Sequence, residues 1–173
     1  MLVVEDGTGI ETANSYADIL FAQSYLLGER LALFNDLSDD QKEAALIHGS
    51  FFVDNAYIFR GNRASAEQGL NFPRTDLIVE NFEITGIPAA IKRAAVEAAF
   101  LYASGESFFS TEADKTVASE KVDVIAVSYF DPKDRIKTNQ TRFEVLNMLL
   151  RKYIREEEKK GGSSIGSANV IRS

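Results

Sequence analysis

Apolar residues recur at helical spacing in four segments of this 173-residue chain. The second segment is apolar around most of its circumference, and it begins with the pattern of a capping box, in which Ser38 and Gln41 each bond the other's backbone amide. We therefore expect this segment to form a buried helix at the centre of the domain. The four predicted helices span about residues 14–27, 38–56, 88–104 and 141–160.

The third helical segment carries many alanines, and Ala94, Ala95 and Ala98 fall on one stripe of it. Alanine places little side chain between two helix axes, so this stripe favours close packing against another helix. Pro88 suits the first helical position, because a proline has no N–H to leave unpaired there. Gly105 is typical of a helix end.

Residues 121–130 alternate in the manner of a β-strand. They fit either one long strand or a hairpin arm at about residues 117–131. Glycine and proline interrupt residues 57–86, which are predicted to be irregular. Residues 161–173 have the glycine- and serine-rich composition of a linker. The predicted fold class is mainly α: a four-helix bundle-like domain with a small β-strand or hairpin arm and an extended C-terminal tail.

The two ends of the chain differ in charge. Residues 1–132 hold 9 Lys and Arg against 21 Asp and Glu, residues 133–160 hold 9 against 5, and the whole chain carries a net charge of −7. An acidic body with a basic C-terminal segment indicates that the two parts meet different partners. We therefore predict a body at residues 1–140, including the β arm, and a C-terminal helix with a flexible docking tail at residues 141–173.

Reactive residue types are scarce. The sequence has no cysteine and a single histidine, which excludes disulfides, thiolate catalysis and a multi-histidine metal site within one chain. Because His48 lies among large apolar residues of the second helical segment, we expect a packed, hydrogen-bonded core histidine and not a catalytic base. Neither a phosphate-binding loop nor a calcium loop is recognisable. The sequence predicts no enzymatic activity, catalytic residue, metal or cofactor.

Membrane contact is not expected. Neither a run of about 18 apolar residues nor a signal peptide is recognisable. The sequence thus predicts a soluble protein that is made in the cytoplasm.

Three arginines lie close in sequence to three aromatic residues. The group consists of Tyr57, Phe59, Arg60, Arg63, Phe72 and Arg74. Cations beside aromatic rings are typical of single-stranded nucleic-acid sites, where bases stack on the rings. In the other interpretation, the aromatic residues belong to the core and the arginines make loop or subunit contacts. The acidic body favours the second interpretation, because nucleic-acid affinity depends largely on a basic surface.

Several short motifs follow one another in an order known from one group of proteins. They are Val4-Glu5-Asp6-Gly7-Thr8-Gly9, Ala13-Asn14-Ser15-Tyr16, Leu37-Ser38, Lys42-Glu43-Ala44-Ala45-Leu46-Ile47, Phe59-Arg60-Gly61, Gln68-Gly69-Leu70-Asn71-Phe72-Pro73-Arg74, Ile87-Pro88 and Glu120-Lys121-Val122. With this order the chain resembles, over about residues 2–130, the head–tail adaptor (connector) proteins of tailed bacteriophages, also described as DnaT-like neck proteins. The resemblance implies a helical subunit of a ring beneath the portal, which extends the DNA channel and bridges to the next neck or tail protein.

The resemblance also implies roles for individual residues and partners. Portal docking is expected of Arg151, Lys152, Arg155, Ile165, Val170 and Ile171. Contacts between subunits are expected of Arg60, Arg63, Arg74, Val124, Val127 and Tyr129. The expected partners are further copies of the chain in a dodecameric ring, the portal protein and a downstream neck or tail-completion protein. Packaged DNA would pass through without sequence-specific binding, and the protein would be located in the virion, at the head–tail junction.

A second hypothesis, from a different functional class, is a single-stranded DNA-binding protein of the DnaT-like type. It predicts tight, strongly salt-dependent binding to single strands. Absence of a gel shift at low salt would exclude it. A small hydrolase is a weaker alternative, because the sequence offers no acid–base pair.

Overall fold

The computed structural model describes residues 1–105, 121–122, 125–126 and 143–155. The described chain is mainly helical and includes a small antiparallel hairpin at β5–β6, so the predicted fold class is confirmed. The helices are α1 (Ile19–Tyr25), α2 (Gly28–Asn35), α3 (Asp39–Ala56), α4 (Ala89–Ala103) and α5 (residues 143–150).

Within the described residues, six two-residue strands form three antiparallel pairs. They are β1 (Asn62–Arg63) with β2 (Arg74–Thr75), β3 (Ile78–Val79) with β4 (Phe82–Glu83), and β5 (Lys121–Val122) with β6 (Ile125–Ala126). The predicted arm is thus a hairpin within its described residues. The first two pairs fall in the segment predicted to be irregular. Glu80 and Asn81, which connect β3 to β4, have φ angles of 51° and 69°, as a two-residue hairpin turn requires.

The first predicted helix is divided into two and begins later than predicted. Asp18, and neither Asn14 nor Ser15, is the N-cap of α1, and its side chain accepts a hydrogen bond from Phe21. Asn14 instead accepts a hydrogen bond from the backbone of Val3 at 2.8 Å. Two extended residues follow α1, and then α2 starts at a glycine with a φ of 59°.

Helix α3 is central, as predicted, and its capping box of Ser38 and Gln41 is present. It crosses α4 at Gly49, where an added Cβ atom would lie 2.3 Å from the Ala95 carbonyl oxygen and 2.5 Å from the Ala99 nitrogen. Nothing larger than a hydrogen atom fits between the two backbones at this point. The alanine stripe of α4 is buried against this crossing, as the sequence predicted.

Two hydrophobic clusters share these two central helices. The larger cluster joins α3 and α4 to α5 and to the loops, and the smaller one joins them to α1 and α2. Leu146 and Leu150 of α5 are fully buried in the larger cluster, and Phe143 stacks on Phe52 with ring centroids 5.5 Å apart. The division into residues 1–140 and 141–173 stays a prediction.

The fourth predicted helix ends earlier than expected. It was predicted to reach residue 160, but the helix stops at residue 150, and residues 151–153 form a turn. Ile154 then forms an antiparallel bridge with Phe59. The bridge provides backbone hydrogen bonds and lets Ile154 pack against the larger cluster, which a continuing helix would not allow. Residues 156–160 lie outside the described residues.

The prediction of a core histidine is wrong. His48 is exposed on the outer face of α3, and its ring stacks on Tyr102 with centroids 4.2 Å apart and planes 20° apart. Its apolar sequence neighbours point toward α4 because side chains one position apart differ by about 100° around a helix. Among the described helices, none has both the length and the hydropathy required to cross a membrane.

Candidate functional site

A short antiparallel pairing joins the loop after α3 to the residues after α5. Residues 58–60 lie against residues 153–155, with the bridge between Phe59 and Ile154 at its centre. Backbone hydrogen bonds of 2.7 and 2.8 Å, one on each side of the bridge, fix the register. The pairing brings together two basic segments that are about 90 residues apart in sequence.

The two faces of this pairing differ in character. Phe59 is 3% exposed and points into the larger cluster. Successive side chains of an extended strand point to opposite faces, so the neighbours of the bridge residues share the outer face. These outer residues are Ile58, Arg60 and Arg155, and all three are exposed. Tyr153 lies in the turn before the bridge and packs against the larger cluster. An apolar side chain and two cations thus occupy one surface.

Arg74 lies beneath this surface and fixes the loop. Its guanidinium donates hydrogen bonds to the carbonyls of Arg60 at 2.7 Å, Gly61 at 2.8 Å and Asn71 at 3.1 Å. Burial lowers its pKa, and the nearby positive charge of Arg155 acts in the same direction. Most of its donors are engaged within the chain, so Arg74 has a structural role and contributes positive charge from below.

Arg63 and Lys152 extend the positive surface on either side. Arg63 is exposed and donates one hydrogen bond to the carbonyl of Gln68. Lys152 pairs with Glu80 at 2.6 Å, and the hydrogen bond from this lysine lowers the pKa of Glu80. Arg151 is exposed in the turn after α5. We use the term basic patch for Arg60, Arg63, Arg74, Arg151, Lys152 and Arg155.

The basic patch contains six of the eleven lysines and arginines within the described residues. It therefore combines residues predicted for two separate roles, subunit contact and portal docking. The other residues predicted for those roles, Val124, Val127, Tyr129, Ile165, Val170 and Ile171, lie outside the described residues. Within the described part of the chain, no carboxylate lies within 4 Å of Arg60 or Arg155.

The aromatic residues noted in the sequence are not a stacking surface. Phe59 and Phe72 are 3% and 0% exposed and pack edge to face, with centroids 4.9 Å apart, so the interpretation as core residues is right for both. Tyr57 is half-buried, burial raises its pKa to about 12, and its hydroxyl hydrogen-bonds to Asn147. An exposed aromatic residue near the patch is Phe82, which is 73% exposed in β4, two residues from Glu80. No sequence pattern marked Phe82, because it lies in a segment predicted to be irregular.

A cleft of about 350 Å³ adjoins the patch at Arg63. On one side it is lined by residues of α3, including Phe51, Asp54 and Asn55, and on another by the loop at Asn71. No sequence pattern marks these residues as binding residues, because they come together only when the loop folds back on α3.

Asp54 organises the polar side of the cleft. Its carboxylate accepts hydrogen bonds from the Tyr16 hydroxyl and from the Asn71 N–H at 2.8 Å. The Tyr16 oxygen in turn accepts from the Phe72 N–H at 3.1 Å. Burial raises the pKa of Asp54 to about 6, although the hydrogen bonds from Tyr16 and Asn71 act in the opposite direction.

This pKa predicts an unusual pH dependence of stability. An unfolded aspartate titrates near 4, so between pH 4 and 6 the folded protein holds a proton that the unfolded chain has released. The contribution of Asp54 to stability therefore falls as pH rises from about 4 to 6 and is constant above that. Relative to Asp54→Asn, the wild-type free energy of unfolding is expected to decrease by about 2 kcal/mol between pH 4 and 7. Denaturant titrations of both proteins at several pH values measure this difference.

The comparison uses the pH dependence and not the absolute stabilities. Asparagine changes the hydrogen bonds to Tyr16 and Asn71, but that effect does not vary with pH in this range. Parallel pH profiles for the two proteins would contradict the raised pKa.

The arrangement is suited to binding. Within the described residues, no group of three or more His, Asp and Glu side chains is placed to hold a metal ion. The patch offers exposed guanidinium groups that match phosphate oxygens, beside apolar and aromatic side chains. A flexible polyanion with flat apolar groups fits such a surface.

The chain matches a known protein family over its whole length. The family model described as "Putative DnaT-like ssDNA binding protein" matches residues 1–173 of the chain. No curated protein and no solved structure matches.

This match overturns the assignment to the head–tail adaptors. The family that covers the whole chain is described by single-stranded DNA binding and not by a neck structure. The expectations that followed from that assignment were wrong as well. They were a dodecameric ring, a portal partner, a downstream neck or tail-completion partner, passive passage of DNA and a place in the virion. The shared motifs were assigned to neck proteins, although the DnaT-like description also applies to ssDNA-binding proteins. The negative net charge of the whole chain, in turn, did not reveal the local basic surface.

Proposed function

We propose that this chain, which belongs to the family of DnaT-like ssDNA-binding proteins, binds single-stranded DNA at the basic patch. The structural observation that supports this most is the outer face around the Phe59–Ile154 bridge, where Arg60 and Arg155 lie beside the exposed Ile58. Guanidinium groups bind phosphates, and neighbouring apolar and aromatic side chains contact bases that are not paired. A duplex hides its bases and offers less to such a surface.

Charge restricts where the strand lies. The chain carries a net charge of −7, so most of its surface repels phosphate, while the patch attracts it. The strand is therefore held along one track that passes Arg155, Arg60 and Arg63. Phe82 provides an exposed ring next to this track on the side of Lys152.

Binding of this kind requires no chemical step. We propose that the protein is a binding protein without enzymatic activity. Its effect on DNA would be to hold the strand extended and its bases unpaired.

Fluorescence anisotropy of a labelled oligonucleotide with the full chain tests the proposal. Contacts from Arg60, Arg63 and Arg155 to three phosphates predict a slope of about −2 for log K against log[salt], because each contact to a single strand contributes about −0.7. Affinity is thus expected to fall about 20-fold between 50 and 200 mM salt. The matching duplex is expected to bind more weakly. No change in anisotropy at 50 mM salt would overturn the proposed function.

A further inference from the structure

The cleft at Arg63 has the size and lining of a small-molecule site. Its volume of about 350 Å³ lies within the range of about 300–1,000 Å³ found for such sites. Phe51 contributes an aromatic side chain to this lining, and Asn55 and Asn71 add amide groups. A flat ring with polar edges fits such a lining.

The orientations of both amides follow from their hydrogen bonds. The Asn55 nitrogen donates to the Phe51 carbonyl at 2.7 Å, and the Asn71 nitrogen donates to the Asp54 carbonyl at 2.9 Å. A carbonyl only accepts, so the opposite end of each amide is an oxygen. Among the described residues, no donor bonds to either amide oxygen. The cleft therefore offers two acceptors to a ligand.

The charged residues of the cleft favour a ligand that is neutral at its inner end and anionic at its outer end. Asp54 is half-buried, and its carboxylate repels phosphate from the inner end, since a pKa of about 6 leaves it ionised at neutral pH. Arg63 is exposed at the outer end and attracts phosphate. A ligand with a neutral hydrogen-bonding ring inside and a phosphate outside matches this arrangement, and a nucleotide of a DNA strand has that form.

We propose that this cleft receives one unstacked base of the bound strand, and that it prefers bases with an exocyclic amino group. The proposal rests on the proposed function and adds a base-selective subsite to it. An amino group carries two N–H donors that match the amide oxygens of Asn55 and Asn71. The phosphate of the same nucleotide then lies at Arg63, which belongs to both the cleft and the basic patch.

Cytosine and uracil separate this preference from stacking, because cytosine has an amino group where uracil has a carbonyl. Anisotropy titrations with oligo(dC) and oligo(dU) of equal length, at pH 8 where cytosine is neutral, are expected to show about 3- to 10-fold tighter binding of oligo(dC), the gain of one net hydrogen bond. Equal affinities would overturn the subsite and leave the proposed function intact. No binding of either oligonucleotide would overturn the proposed function itself.

An Asn55→Leu variant identifies the residue responsible. Asn55 is exposed near the end of α3, so the fold is expected to persist. The variant is expected to lose most of its preference for oligo(dC) over oligo(dU). Circular dichroism of the variant is the control for folding. A variant that keeps the full preference would contradict the role of this amide.

Discussion

Replacing Arg60 and Arg155 together with glutamine is expected to weaken binding of single-stranded DNA about 25-fold at 0.1 M salt. Both side chains are exposed on the outer face of the Phe59–Ile154 bridge. Losing two phosphate contacts lowers the salt slope by about 1.4, and the affinities of the two proteins therefore converge as salt approaches 1 M. Titrations at four salt concentrations measure the affinity and the slope together.

A second double variant with the same change in net charge is the control. Lys92 and Arg93 lie on α4, and Lys92 contacts the ring of Phe21 in α1, 5.9 Å from its centroid. These two cations belong to the side of the molecule that carries the smaller cluster, so replacing both with glutamine is expected to change DNA affinity by less than about 3-fold, the effect of net charge alone. If both double variants weaken binding equally, the patch is not the binding surface and only overall charge matters.

Gly49→Ala is expected to lower the free energy of unfolding by about 3 kcal/mol, which lowers the melting temperature by about 6–12 °C. Within a helix, alanine is ordinarily more stable than glycine by about 1 kcal/mol. At Gly49 that order is reversed because the new methyl group would meet the Ala95 carbonyl oxygen at 2.3 Å and the Ala99 backbone. Relief requires α3 and α4 to move apart, and this opens both hydrophobic clusters. Denaturant unfolding followed by circular dichroism measures the loss.

Two further variants isolate the cause. Ala44→Gly changes an exposed position of the same helix and is expected to cost about 1 kcal/mol, the ordinary preference. Ala99→Gly is not expected to rescue Gly49→Ala, because the contacts at this position are to the backbone of α4 and not to a side chain that can be removed. A Gly49→Ala protein as stable as the wild type would show that the helices do not cross this closely.

The candidate site was only partly predictable. Arg60, Arg63 and Arg74 are close in sequence, so their proximity to one another was visible in the chain itself. The sequence did not show that the guanidinium of Arg74 donates its hydrogen bonds to backbone carbonyls. Nor did it show that Arg155, which is distant in sequence, lies in the same group. The cleft was not predicted, because Asp54 and Asn71 are brought together by a loop with no regular pattern.

The functional assignment shows a related limit. Net charge sums over the whole chain, whereas a strand of DNA responds to the charges within about 10 Å of it. The acidic total therefore argued against a nucleic-acid site, although a local excess of cations was present. Which basic residues share a surface is a property of the folded backbone.

The sequence by itself determined the start of α3 and the buried stripe of α4. The capping box at Ser38 and the alanine stripe of α4 are local, since each depends on residues within one or two turns, and both are present. The tertiary structure alone decided the end of α5 and the exposure of His48. Helix α5 ends where a backbone pairing across about 90 residues begins, and the direction of the α3–α4 crossing exposes His48. Both outweighed local preference, because burial and hydrogen bonding are gained only when distant segments meet.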